Sequence, residues 1–156
     1  MSPILPAQNA RHFGTPLIRA LAVGGDSVHA SSSVEHQNVE ATVLATLNEK
    51  LNIDLVPKRL VLGESTSVQL DGLDEKRRVV CEVYARIGRL KGSQPDKVAS
   101  NLLKLCLLEQ LRGGVWRKIL CFACPEAAKI VLGKSWLSAA AKQFGVEIHV
   151  VSFARK

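Results

Sequence analysis

The run Val79-Val80-Cys81-Glu82-Val83-Tyr84-Ala85 constrains the fold most tightly, because it places one carboxylate in the middle of an otherwise apolar segment. Its β-branched and aromatic residues favour a strand. Alternate strand residues point to opposite faces, so Val79, Cys81, Val83 and Ala85 share one face, while Val80, Glu82, Tyr84 and Arg86 share the other. Apolar side chains on both faces predict a strand covered on both, inside a mixed sheet flanked by helices. Glu82 is then an acid in a setting where an acid needs a reason to be.

The rest of the chain predicts the layers around that strand. Its 156 residues suffice for one domain with a proper core. Residues 1–33 carry Pro3, Pro6, Pro16, Gly14, Gly24, Gly25 and a run of three serines, and predict a flexible arm with a short helix near Thr15 to Val23. The α/β domain is expected over residues 34–156. It opens with a helix from Val34 to Leu51, in which Val39, Val43, Leu47 and Leu51 recur every four residues and Ser33 serves as N-cap. Strands over Arg59 to Glu64, Ser67 to Leu73 and Arg78 to Arg86 follow with short connections, which predicts an antiparallel meander. The basic loop Gly88-Arg89-Leu90-Lys91-Gly92 leads to a helix from Ser93 to about Leu111, apolar on most sides, with one polar stripe of Gln94, Lys97, Asn101 and Lys104. A strand from Trp116 to Cys124, a helix from Glu126 to Phe144 with a break near Gly133, and a strand from Val146 to Phe153 complete the order α-β-β-β-α-β-α-β. The last strand–helix–strand unit predicts a parallel pair.

Composition narrows the function classes. A net charge of +7 favours an anionic partner, nucleic acid above others. Only 4% of residues are aromatic, which argues against a base-stacking platform. No apolar run reaches the roughly 18 residues of a membrane span, and Arg19 interrupts the short patch Leu17 to Val23, so neither anchor nor signal peptide is expected. Three of the four cysteines, Cys81, Cys106, Cys121 and Cys124, lie in strongly apolar segments, which fits the reducing cytoplasm. Cys121 and Cys124 form a CxxC inside a strand-like run, where residues three apart face opposite ways; core packing is expected rather than metal or redox chemistry. His12, His29, His36 and His149 show no ligand spacing, and no glycine-rich phosphate loop or nucleophile elbow is present.

The candidate chemistry lies in Asp71 and Glu82. In the alternation of the second strand, Asp71 shares a face with Gln69 opposite Val68 and Leu70, and a hairpin register can set it beside Glu82. Two carboxylates held together repel, and a divalent cation relieves them; oxygen ligands suit Mg²⁺ or Mn²⁺.

The order α-β-β-β-α-β, with Asp71 on the second strand and Glu82 on the third, resembles the PD-(D/E)XK nuclease superfamily over about Val34 to Phe153. The resemblance implies a restriction-endonuclease-like core with an added C-terminal α-β unit, hydrolysing phosphodiester bonds of nucleic acid, with DNA favoured over RNA. It implies a further acid from the first helix, matched by Glu40, beside Asp71 and Glu82 as metal ligands. The (D/E)-X-K motif is matched by Glu82-Val83-Tyr84, with tyrosine where the family has lysine. Some members place the lysine, or a glutamine motif, on the following helix; Gln94 and Lys97 are the residues expected there. Arg86, Arg89 and Lys91 form a basic patch beyond the third strand for phosphate contacts, with Asn101 as a further nucleic-acid contact. Tyr84 supports a competing expectation, an inactive nuclease-fold module that binds nucleic acid or a protein partner. A homodimer or larger complex is compatible with either.

Overall fold

The computed structural model describes residues 28–152, with side chains from residue 34. Of the flexible arm predicted over residues 1–33, residues 1–27, the short helix included, lie outside the described residues, and residues 28–33 are not arm but the first turns of a helix.

Four helices and five strands follow the predicted order, with one helix split in two. Helix α1 is Val28–Leu51, strands β1, β2 and β3 are Val56–Val61, Ser67–Asp74 and Val79–Tyr84, and α2 is Gln94–Arg112. Strand β4 (Arg117–Phe122), helices α3 (Pro125–Leu132) and α4 (Trp136–Gln143) and strand β5 (Val146–Val150) complete it. The strands form one mixed sheet in the order β1-β2-β3-β4-β5, antiparallel from β1 to β3 and parallel from β3 to β5.

Strand β3 is central and buried at every position, as a strand apolar on both faces must be. On one side, Val43, Leu44 and Leu47 of α1 pack on Val79, Cys81, Val83, Ile119 and Cys121. On the other, Val98, Leu102, Leu105 and Leu108 of α2, with α3 and α4, cover Leu70, Val80, Tyr84, Leu120 and Phe122. The four-residue stripe of α1 points inward as expected, but the helix begins at Val28, which makes Ser33 an interior helical residue and not its N-cap. Gly133 ends α3, and Ser135 restarts the chain as α4, its hydroxyl accepting from the Ser138 amide at 3.1 Å.

Strand β1 starts earlier than expected and includes Pro57, which an edge strand tolerates because its missing N–H needs no ladder partner. There the register slips: Val56 pairs with Leu73 and Lys58 with Leu70, so Asp71 and Gly72 together oppose the single residue Pro57. This β-bulge turns Leu70 and Leu73, three apart, into the same core cluster. Gly72 fits the bulge because a Cβ there would lie 2.9 Å from Leu44 Cδ2 and 3.0 Å from Leu55 Cβ.

Cys121 and Cys124 belong to opposite core clusters, and all four cysteines are free thiols. Burial pushes the Cys121 thiol up to about 12, whereas the Gly88 amide donating to Cys124 Sγ draws that thiol below its ordinary value. It is their burial in opposite clusters that makes the CxxC a pair of core residues. No helix among the described residues is long and apolar enough to cross a membrane.

Candidate active site

Next to the bulge, β2 and β3 stop pairing as a regular ladder. Their backbones pair from Gly72–Cys81 to Asp74–Val79. One step further, side chains take over: the Asp71 amide donates to Glu82 Oε1 at 3.1 Å, and the Val83 amide donates to Asp71 Oδ2 at 2.8 Å. Each carboxylate thus takes the place of a carbonyl in the ladder, and the two acids are interlocked across the strands. The predicted hairpin register is therefore present, and the bulge aims Asp71 into it.

Lys104 closes the arrangement from α2. Its ammonium donates to Glu82 Oε2 at 2.9 Å and to the Gln69 carbonyl at 3.0 Å, bridging both strands. The Glu82 side chain has no solvent exposure, whereas that of Lys104 is 25% exposed. Burial first, and the negative charge of Asp71 second, push the Glu82 carboxyl up to about 7; Lys104 and the Asp71 amide pull it back only in part. Glu40, half-buried on α1, is raised for the same reasons, burial and then Asp71, and is drawn down by Lys97, His36 and Lys104. Three acids and two lysines therefore share one electrostatic neighbourhood between α1, the diverging strands and α2.

The predicted residues divide by position. Asp71 and Glu82 come together. Glu40 faces Asp71 electrostatically, yet among the described residues no three acidic, histidine or cysteine side chains group closely enough to hold a metal ion, so the expected third-ligand position is not formed by direct convergence. Gln94 makes no hydrogen bond to Asp71 or Glu82 among the described residues; its Oε1 accepts from the Lys91 amide at 2.8 Å and fastens the basic loop. Lys97 is exposed and acts on Glu40, leaving the direct contact with Glu82 to Lys104. Arg86, Arg89 and Lys91 are exposed, as phosphate contacts must be. Asn101 is only 1% exposed, which removes it from the expected surface contacts. Tyr84 is buried and tilted against Phe122, with ring centroids 5.7 Å apart.

Lys104 is the site residue that sequence reasoning misses. It belongs to the polar stripe of α2, but the family resemblance points to the helix's first turns. Glu82 lies two residues before the end of β3, and the intervening loop lets α2 start well past it. The helix must run back about 15 Å, ten residues at 1.5 Å each, before a side chain stands over Glu82.

Two carboxylates, Asp71 and Glu82, are the oxygen donors this site could offer a hard divalent cation. Among the described residues no donor reaches Asp71 Oδ1, and Mg²⁺ commonly takes one or two carboxylates and fills its remaining positions with water and phosphate oxygens. Glu82 would be the second carboxylate, although both of its oxygens already accept hydrogen bonds, from the Asp71 amide and from Lys104. No protein-family model, curated protein or solved structure matches the chain.

Proposed function

We propose that this protein is a Mg²⁺- or Mn²⁺-dependent nuclease that hydrolyses phosphodiester bonds of nucleic acid, DNA in preference to RNA, on a restriction-endonuclease-like core in the cytoplasm. The observation that carries the proposal is the interlocked pair Asp71–Glu82 with the Lys104 ammonium 2.9 Å from Glu82. The strand order and the position of the acids support the same class, and Lys104 supplies the cation that Tyr84 does not.

Asp71 and Glu82 would hold the metal, which lowers the pKa of a bound water and polarises a phosphate oxygen. Lys104 offers a positive charge beside the acids, where it would offset the negative charge on the phosphoryl oxygens in the transition state. Because Lys104 bonds Glu82 and the Gln69 carbonyl, its position is fixed before substrate arrives. Lys97, Arg86, Arg89 and Lys91 are exposed cations of the kind that take backbone phosphates and give salt-dependent, sequence-tolerant binding.

The second function, a binding module without catalysis, draws on the fact that both Glu82 oxygens already have protein partners. Cleavage decides between them. With Mg²⁺, the wild type is expected to nick supercoiled plasmid; Lys104→Ala should lower the rate by about 10²-fold or more, and Lys97→Ala by less than about tenfold. Salt-sensitive DNA binding with no cleavage in Mg²⁺ or Mn²⁺ would select the inactive module.

A further inference from the structure

The two edges of the sheet are built differently. Edge strand β1 carries Pro57, Lys58, Arg59 and a bulge, the devices that keep an exposed strand from pairing with another chain. The opposite edge, β5, has none of them. Its residues Val146-Glu147-Ile148-His149-Val150 pair with β4 in unbroken register and include no proline, lysine or arginine.

One bond fixes which way the backbone of β5 points. The Val151 amide donates to the Phe122 carbonyl at 2.8 Å, in a register where Phe122 lies opposite Val150. Alternate residues of a strand turn their polar groups to alternate sides, so Glu147, His149 and Val151 bond to β4. Val146, Ile148 and Val150 turn their N–H and C=O groups to the open edge, where no strand among the described residues meets them.

This strand is complementary to itself. A second β5 laid antiparallel, with Ile148 opposite Ile148, sets Val146 opposite Val150 and Glu147 opposite His149. The isoleucine and valine pairs then exchange about six backbone hydrogen bonds, all from groups that already face outward. The Glu147–His149 pairs fall between them, where opposed side chains stand closest, so an imidazole N–H meets a carboxylate on each side of the centre. Within one copy Glu147 already binds Arg117 through both oxygens and meets its own His149 at 3.0 Å; the second copy extends that cluster. A slip of two residues sets Glu147 against Glu147 or His149 against His149. A slip of one sets outward groups against inward ones.

We infer that β5 is the interface of a two-fold homodimer, in which two sheets join edge to edge into one. A two-fold axis perpendicular to the joined sheet keeps its faces, so both α4 helices, which pack on β5, lie on the same side. Their exposed Trp136 and Phe144 supply apolar surface on the helix next to the strand contact. Glu82 pairs with Leu120, and Leu120 with Ile148, so the axis passes at the level of both Glu82 residues. Five strand spacings separate β3 from its symmetry mate, about 24 Å, and the candidate active site lies on the side of β3 away from the interface.

Sedimentation equilibrium of the full chain tests this, with the fold of each variant checked by circular dichroism. The wild type should pass from the 16.9 kDa single chain to twice that mass over about 1–300 µM. Ile148→Pro removes an outward N–H that one copy alone does not use, and should weaken the dimer about 100-fold or more. His149→Glu sets acid against acid and should weaken it about tenfold or more, while combining it with Glu147→His should restore the wild-type Kd to within about threefold. A chain that stays single at about 300 µM, a mass that climbs past two copies, or a dimer unchanged in both folded single variants overturns the interface. A folded double variant that does not recover overturns the register. The result does not depend on whether the protein cuts nucleic acid.

Discussion

Replacing Glu82 by glutamine should make the metal-free protein more stable at pH 8 and nearly unchanged at pH 4.5. An unfolded glutamate loses its proton near 4.5, whereas the folded Glu82 keeps it up to about 7. Between those values the folded state binds a proton that the unfolded state has released, so wild-type stability contributed by this group falls as pH rises. Below 4.5 both states are protonated and the penalty vanishes; above about 7 both are ionised and it is complete. At 1.36 kcal/mol per pH unit, the shift amounts to about 3 kcal/mol. The attraction of Lys104 is already contained in that shift, since it is one of the forces pulling the carboxyl down. Glutamine keeps the shape and can still accept from the Asp71 amide, while Lys104 retains the Gln69 carbonyl. Urea unfolding followed by circular dichroism, in EDTA at pH 4.5 and 8, measures the difference. An upper gain of about 3 kcal/mol at pH 8 corresponds to roughly 6–12 °C in Tm for a chain of this size. A variant less stable than wild type at pH 8, or equally shifted at both pH values, would refute the account of Glu82 as a buried, repelled carboxylate.

Two other consequences concern the frame that holds the acids. Gly72→Val would push a side chain into Leu44 and Leu55, and should lower stability by about 1–3 kcal/mol as well as weaken Mn²⁺ binding by displacing Asp71; denaturant midpoints and calorimetry report the two effects. Cys81 and Cys121, fully buried with thiols held in the protonated form, should resist a thiol reagent at pH 8 until urea unfolds the chain, as labelling followed by mass spectrometry will show; rapid labelling in the folded state would contradict the packed core.

Much of this frame was legible because it follows from periodicity. The four-residue stripe of α1 and the two-faced apolar character of β3 each dictate which surfaces must be covered. Together they set the element order and the central place of Glu82, while the contact of Asp71 with Glu82 also needs the bulge, which puts Leu70 on the Glu82 face that alternation assigned to Asp71. What escaped depends on longer-range geometry. The bulge arises where Pro57 on an edge strand meets Asp71 and Gly72, and neither strand's alternation contains it. Lys104 looked like one member of a polar stripe, since its choice over Lys97 depends on how far α2 runs back over β3. Asn101 looked like a surface residue for the same reason: a polar stripe on a helix usually meets solvent, and here part of it meets buried acids. The helix start at Val28 was hidden by the three serines, which read as a loop although they continue α1.

Metal binding tests the central claim most directly. Titration of Mn²⁺ into the wild type at pH 8, followed by isothermal calorimetry, should show saturable binding, and Asp71→Ala should abolish it while the fold, checked by circular dichroism, persists. Equal Mn²⁺ binding by wild type and a folded Asp71→Ala variant would contradict the assignment of the interlocked carboxylates as a metal-dependent centre.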